Sequence, residues 1–119
     1  MRKVFAFISV LVISAGLAMA QTHARARTFT GQIMDSACAT AGSHAAGYKM
    51  TGTHTPRACT LACVKAGSKF VLYNAAHKTI YKLDNQKTPR AFAGENVRIT
   101  GTYDAATKTI HVERIARVR

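Results

Sequence analysis

The chain has 119 residues, and its 17 Lys and Arg against 5 Asp and Glu give a formal net charge of +12. This length accommodates one domain rather than two, and the charge attracts anionic partners. The sequence contains neither a Gly-x-Ser-x-Gly motif nor a phosphate-binding glycine loop, so it gives no support for a serine hydrolase or a P-loop enzyme. We therefore expect a binding or structural role rather than catalysis.

The N-terminal segment has the composition of a secretory signal peptide. Arg2 and Lys3 precede the apolar run Val4–Leu17, and Ala18-Met19-Ala20 provides the small-x-small cleavage pattern. From Val4 to Ala20 the stretch has 17 residues, the short limit for a membrane-spanning helix, and polar residues follow it, which favours cleavage over anchoring. We predict a signal peptide at residues 1–20, a periplasmic or secreted protein, and no membrane span after cleavage.

Residues 21–27 are predicted to form a flexible basic leader, followed by a single domain at residues 28–119. Because apolar and polar residues alternate over Thr28–Met34, we predict a first strand there. After Asp35 the chain is rich in Ala, Gly, Ser and Thr as far as Thr55 and has no apolar periodicity. We expect a loop of about twenty residues, a length that is usually functional or tethered.

A short helix is predicted after this loop. Thr55 is a suitable N-cap and Pro56 suits the first helical position. Lys65 suits the last turn, and Gly67 suits the residue beyond the end of the helix. The helix spans about three turns, so it depends on packing for its stability.

The second half of the chain repeats an eight-residue segment. Tyr73–Ile80 and Tyr103–Ile110 are identical at six of eight positions. The second residue of each copy, Asn74 or Asp104, can hydrogen-bond to its own backbone and begin a tight turn. Strand-like residues flank both copies, so we predict two β-hairpins with the same turn chemistry, and a single helical turn at Arg90–Gly94 between them.

The predicted elements define a mainly β fold. We predict a β-barrel of the OB type, with about five antiparallel strands and one short helix after the first strand. The alternative is an open antiparallel sheet covered by one helix.

Three cysteines, Cys38, Cys59 and Cys63, are the strongest functional signal. Export places thiols where disulfides form and persist, and an odd number leaves one thiol free unless all three act together. Cys59 and Cys63 are four residues apart on the predicted helix, so their side chains lie on one face. A disulfide between these two is geometrically poor, whereas the pair is well placed to bind one metal ion.

Three interpretations of the cysteines stay open. In the first, Cys38 forms a disulfide with Cys59 or Cys63 and tethers the long loop to the helix. In the second, the three cysteines bind Zn²⁺ or Cu(I) with a fourth ligand, for which the candidates are His44, His54 and Asp35. In the third, a disulfide exchanges with the spare thiol in thiol–disulfide or electron-transfer chemistry.

The positive charge predicts an anionic partner. Outside the cytoplasm, the anionic components of the cell envelope, phospholipid headgroups and acidic polysaccharides, are the available anions. An alternative is that an OB-type barrel binds anionic polymers or nucleic acid by stacking bases on Tyr73, Tyr81, Tyr103 and Phe70. Export would keep the domain away from nucleic acid, so we do not expect that partner.

Three segments form an ordered pattern. Gly31–Cys38 has the form Gly-x-x-x-Asp-x-x-Cys, Cys59–Gly67 begins with Cys-x-x-x-Cys, and Phe92–Gly101 includes Phe-Ala-Gly and Val-Arg-Ile-Thr-Gly. Together they resemble a family of small exported bacterial domains of unknown function. The resemblance covers nearly all of the chain after residue 20 and implies an OB-like barrel. It also implies, without implying an activity, that four residues share one site: Asp35, Cys38, Cys59 and Cys63.

Overall fold

The structure, a computed structural model, describes residues 24–119, so the predicted signal peptide and the start of the leader lie outside the described residues. In chain order the elements are β1 (Arg27–Asp35), α1 (Ser36–Ala41), α2 (Ala45–Thr51), α3 (Pro56–Lys65), β2 (Phe70–Asn74), β3 (Thr79–Leu83), a 3₁₀ helix (Thr88–Phe92), β4 (Asn96–Asp104) and β5 (Thr109–Arg117). Within residues 24–119, no helix is both long and apolar enough to cross a membrane.

The five strands close into a barrel in the order β1-β2-β3-β5-β4, and β4 pairs back to β1. The end of β1 pairs with β2 and its beginning pairs with β4, in both cases antiparallel. The two hairpins predicted from the repeated segment are β2–β3 and β4–β5. A short parallel contact between β3 and β5, with Lys82 opposite Thr109, closes the ring.

The number of strands and their closure confirm the predicted β-barrel. The open sheet is wrong, because every strand has a neighbour on both sides. The prediction of antiparallel strands throughout is wrong at the β3–β5 contact. A closed ring with an odd number of strands cannot alternate direction at every contact, so one parallel pair is required. The OB-type assignment stays a prediction.

Residues 36–55 were expected to form an irregular loop, but they contain α1 and α2. Asp35 caps α1, since its Oδ2 accepts a hydrogen bond from the N–H of Cys38 at 3.0 Å. Gly42 and Gly52 end α1 and α2 with φ of 79° and 69°, a conformation that glycine adopts without strain. The abundant Ala and Gly give no apolar period to detect, so these caps were the only local signal of helix.

α3 confirms the helix predicted after the loop. The Thr55 hydroxyl accepts a hydrogen bond from the N–H of Ala58 at 3.1 Å, and Pro56 is the first helical residue. The helix ends at Lys65, and Gly67 follows with φ 117°. Capping chemistry therefore determined both ends of this helix as the sequence indicated.

The buried residues form two clusters. The first fills the barrel and includes Ile33, Phe70, Leu72, Val97, Ile99 and Ile110. The second includes Met34, Cys38, Ala39, Cys59, Cys63, Val71 and Tyr73. Because successive residues of a strand face opposite sides, Ile33 joins the barrel core and its neighbour Met34 joins the cysteines. The cysteine cluster therefore lies outside the barrel, between β1, β2 and the helices.

Both hairpin turns contain a lysine in the left-handed backbone conformation. The φ angles of Lys78 and Lys108 are 51° and 54°. Asn74 and Asp104 lead the turns as predicted, and their Oδ1 atoms accept hydrogen bonds from turn N–H groups at 3.1 and 2.9 Å. The repeated segment thus produces the same turn twice.

Candidate metal centre

Three elements bring the four residues of the candidate site together. Asp35 is the last residue of β1, and Cys38 lies in the first turn of α1, directly after it. Cys59 and Cys63 lie four residues apart on α3, and both are buried. Asp35 thus has two functions, since the carboxylate that caps α1 also belongs to the site.

One carboxylate oxygen and the three Sγ atoms lie within 4.8 Å of one another. The Sγ atoms of Cys38 and Cys59 are 3.9 Å apart, and all three cysteines are free thiols. A disulfide requires about 2.05 Å between sulfurs, whereas two sulfurs on one tetrahedral zinc ion at about 2.3 Å each are separated by about 3.8 Å. The observed separation matches the edge of a zinc tetrahedron.

The carboxylate of Asp35 is completely buried. Its Oδ2 accepts the hydrogen bond from Cys38, but its Oδ1 has no hydrogen-bond partner. The ion pairs within residues 24–119 are His111–Asp84 and Arg117–Glu95, so no basic side chain of that part of the chain neutralises Asp35. A buried carboxylate without compensation is costly, and a bound cation would remove that cost.

The environment keeps two of the thiols protonated in the absence of a metal. Burial raises the pKa of the Cys38 thiol, and the neighbouring Asp35 and Cys59 raise it further. Burial also raises the pKa of Cys63, with a further contribution from the charge of Asp35. Because metals bind the thiolate, metal binding at this site must release protons.

Gly47 of α2 covers the sulfurs, a contact that the sequence did not reveal. A Cβ atom at this position would lie 2.6 Å from the Sγ atoms of both Cys38 and Cys59, and 4.0 Å from that of Cys63. Only glycine allows the α2 backbone to approach the cluster so closely. The one sign of this contact in the sequence is that Gly47 lies inside a segment that proved to be helical.

A cavity of about 110 Å³ borders this cluster, lined in part by Cys38, Cys63, Gly47 and Met50. The Met50 side chain is 80% exposed, so the cavity reaches the protein surface. An entry path is one requirement of a site that is loaded after folding. Met50 itself is not positioned as a buried ligand.

Neither histidine candidate belongs to the four-residue group. His54 is exposed. His44 is buried, but its Nε2 lies 3.2 Å from Oε1 of Gln32 and its ring stacks on Tyr48 with 5.7 Å between centroids. Of the three residues considered as fourth ligand, the structure brings Asp35 to the cysteines.

The comparisons with known proteins concern the part of the chain after the site. Residues 64–118 match the sequence model of a family described as "Protein of unknown function (DUF5818)". The match begins in α3, directly after Cys63, and extends through β2–β5. No curated protein and no solved structure matches the chain. The resemblance to a family of unknown function is confirmed by this match, and residues 64–118 are similar to the DUF5818 family.

Proposed function

We propose that this protein is an exported zinc-binding module in which Asp35, Cys38, Cys59 and Cys63 hold one Zn²⁺ in a closed site. The observation that carries the proposal is the convergence of a carboxylate and three thiols, all buried, within 4.8 Å. The ion would join β1, α1 and α3. Its role is structural, and the barrel surface is left for a partner.

The buried charge of Asp35 is the first support for a cation. A carboxylate removed from water needs a compensating charge or a full set of hydrogen bonds. Asp35 has one hydrogen bond, and its Oδ1 has no partner. A Zn²⁺ ligated by Oδ1 would supply both the missing partner and the missing charge.

The set of donor atoms favours Zn²⁺ over Cu(I). Zinc binds thiolate and carboxylate ligands in the same tetrahedral site, whereas Cu(I) prefers soft sulfur ligands. A Cu(I) ion would therefore leave the buried carboxylate of Asp35 without a ligand role. Since all four ligands of the zinc site are buried, no coordination position faces a substrate, which indicates a structural ion rather than a catalytic one.

The helices need the support that such an ion provides. α1, α2 and α3 have 6, 7 and 10 residues, and isolated helices of this length are marginal in water. A domain of this size also buries a limited share of its surface on folding. One ion that joins α1 and α3 to β1 would stabilise these short helices and add to the limited stability that burial alone gives so small a domain.

A disulfide clasp is the second candidate function. The Sγ atoms of Cys38 and Cys59 are 3.9 Å apart, and a disulfide requires them to approach to about 2.05 Å. The clasp would join α1 to α3 and leave Cys63 free. Exchange chemistry has less support, because Cys63 is buried and burial raises its pKa, which lowers the thiolate fraction that attacks a disulfide.

Localisation and partner are also part of the proposal. The sequence of residues 1–20 supports export to the periplasm or the medium. The net charge of +12, of which Arg2 and Lys3 of the predicted signal peptide contribute two, supports anionic components of the envelope as partners.

Titration of the reduced, metal-free protein with Co²⁺ tests the zinc site. Co²⁺ in a tetrahedral thiolate site absorbs visible light, and Zn²⁺ displaces it. We expect one Co²⁺ per chain in the native protein and loss of the absorption in Cys59→Ser. His54→Asn is the matched control, since it removes an exposed candidate ligand outside the four-residue group and should leave the titration unchanged. Absence of a cobalt–thiolate spectrum in the reduced native protein would contradict the proposal.

A further inference from the structure

Three lysines of the two hairpins, Lys78, Lys82 and Lys108, line one surface pocket of about 470 Å³. Ile80 and Tyr103 contribute its less polar lining, and no Asp or Glu lines it. Neither of the two ion pairs within residues 24–119 includes a lysine. Three positive charges therefore line one pocket, and among the described residues no acidic side chain lines it or forms an ion pair with these lysines. The neighbouring Asp104 uses its carboxylate to accept hydrogen bonds from N–H groups of its own turn.

The barrel fixes the lysines relative to one another. The N–H of Lys82 donates a hydrogen bond to the carbonyl oxygen of Lys108 at 2.9 Å. Lys82 also lies opposite Thr109 in the parallel contact between β3 and β5. Lys78 directly precedes β3. The contact that closes the barrel thus brings together two turns that are about thirty residues apart in the chain.

Lysine is an unfavourable choice at two of these positions. Lys78 and Lys108 have left-handed φ angles of 51° and 54°, a region that glycine adopts freely and that Asn and Asp tolerate better than other residues. Both copies of the repeated segment nevertheless carry lysine at this position. Backbone conformations of this kind cluster at functional sites, and here both residues line the same pocket.

We propose that this lysine pocket binds a phosphate group. Three ammonium groups complement the two negative charges and several acceptor oxygens of a phosphate monoester, whereas a single carboxylate would leave two of them uncompensated. The Arg27 guanidinium lies 5.1 Å over the Tyr103 ring and adds positive charge beside the pocket. The phosphate belongs either to a small soluble ester or to a lipid headgroup. The proposal does not depend on the zinc site.

The test compares two double variants of the full protein. Lys78→Asn/Lys108→Asn removes two pocket charges and places a residue that tolerates the left-handed conformation at both positions. Lys49→Gln/Lys65→Gln is the matched control, because it removes the same charge from exposed lysines of α2 and α3, which do not line the pocket. A third variant, Lys82→Gln, lies in the extended strand β3 and changes no turn. The probes are pyrophosphate, followed by calorimetry, and phosphatidylcholine vesicles with and without phosphatidic acid, followed by co-sedimentation.

The native protein is expected to bind pyrophosphate or the vesicles that contain phosphatidic acid. The Asn double variant should bind about tenfold more weakly or worse, and Lys82→Gln should also bind more weakly, whereas the Gln control should bind nearly as the native protein does. The thermal midpoint of the Asn double variant should be unchanged or higher, since strain is relieved. Binding of pyrophosphate assigns a soluble ester, and binding of the vesicles alone assigns a headgroup. Equal losses in both double variants, or binding of neither probe, would overturn the proposal.

Discussion

Helix propensity and packing have opposite effects on the stability of a Gly47→Ala variant. In a helix, Gly47→Ala would stabilise the protein by roughly 1 kcal/mol if nothing lay next to the new methyl group. The methyl carbon would however lie 2.6 Å from the sulfurs of Cys38 and Cys59, and overpacking of a buried site costs about 1–3 kcal/mol. The balance is a net destabilisation of up to about 2 kcal/mol, together with weaker zinc binding because the sulfurs must move.

Thermal unfolding with zinc and with chelator measures this balance, since each kcal/mol shifts the midpoint of a domain of this size by about 4–8 °C. Ala46→Gly is the control, because Ala46 is exposed in the same helix and the change adds no atom near the sulfurs. It should cost about 1 kcal/mol through propensity and leave the zinc affinity unchanged. If Gly47→Ala is instead about 1 kcal/mol more stable than the native protein and binds zinc as tightly, α2 does not pack against the sulfurs.

Three further substitutions test the charges of the structure. Asp35→Asn keeps an oxygen that can cap α1 but removes the charge. Loss of a group that only supports a metal ligand lowers the affinity roughly 10–100-fold, so the zinc affinity of this variant, measured by chelator competition, should fall by more than that. An unchanged affinity would exclude the carboxylate as a ligand. Burial lowers the pKa of His44, although the charge of Asp35 opposes this effect. The contribution of neutral His44 to the free energy of unfolding is therefore fully present above the ordinary pKa of 6.5, and it is lost as the pH falls below that value. His44→Gln should flatten the unfolding free energy between pH 7 and 5, and equal slopes for the two proteins would argue against this role of His44. Partial burial raises the pKa of Asp84, but hydrogen bonds from the N–H of Val112 and from His111 outweigh it and lower the pKa below 3.8. This exposed pair contributes less than about 1 kcal/mol to the free energy of unfolding. The contribution is present above the ordinary pKa of Asp84 and is lost as the pH falls towards 3. Asp84→Asn should therefore weaken the dependence of the unfolding free energy on acid pH, measured by urea unfolding, and an unaltered dependence would contradict this role.

Features that depend on chain neighbours could be predicted from the sequence. Thr55 and Pro56 begin α3 because a cap acts within one turn of helix. Asn74 and Asp104 begin the hairpin turns because their side chains reach their own backbone. The pairing of Cys59 with Cys63 on one helical face follows from the period of the helix.

Features that depend on packing could not be predicted in the same way. α1 and α2 lack an apolar period, so only their caps distinguish them from a loop. Gly47 contacts the sulfurs only because α2 folds back over α3. The residues alone left His44, His54 and Asp35 open as the fourth ligand, and only the family resemblance pointed to Asp35. The contact that holds His44 away from the cysteines is with Gln32, a residue of β1 that is distant in the chain. Asp35 differs because it caps α1, and the cap holds its carboxylate against the first helical turn, which carries Cys38.

Metal content and thiol count of the protein, isolated from the producing cells without reductant or chelator, test the zinc site most directly. Native and denaturing mass spectrometry measure the bound ion, and thiol titration after denaturation with chelator counts free cysteines. We predict one zinc ion per chain and three free thiols. A metal-free protein with one free thiol and a disulfide between Cys38 and Cys59 would contradict the zinc site and establish the clasp in its place.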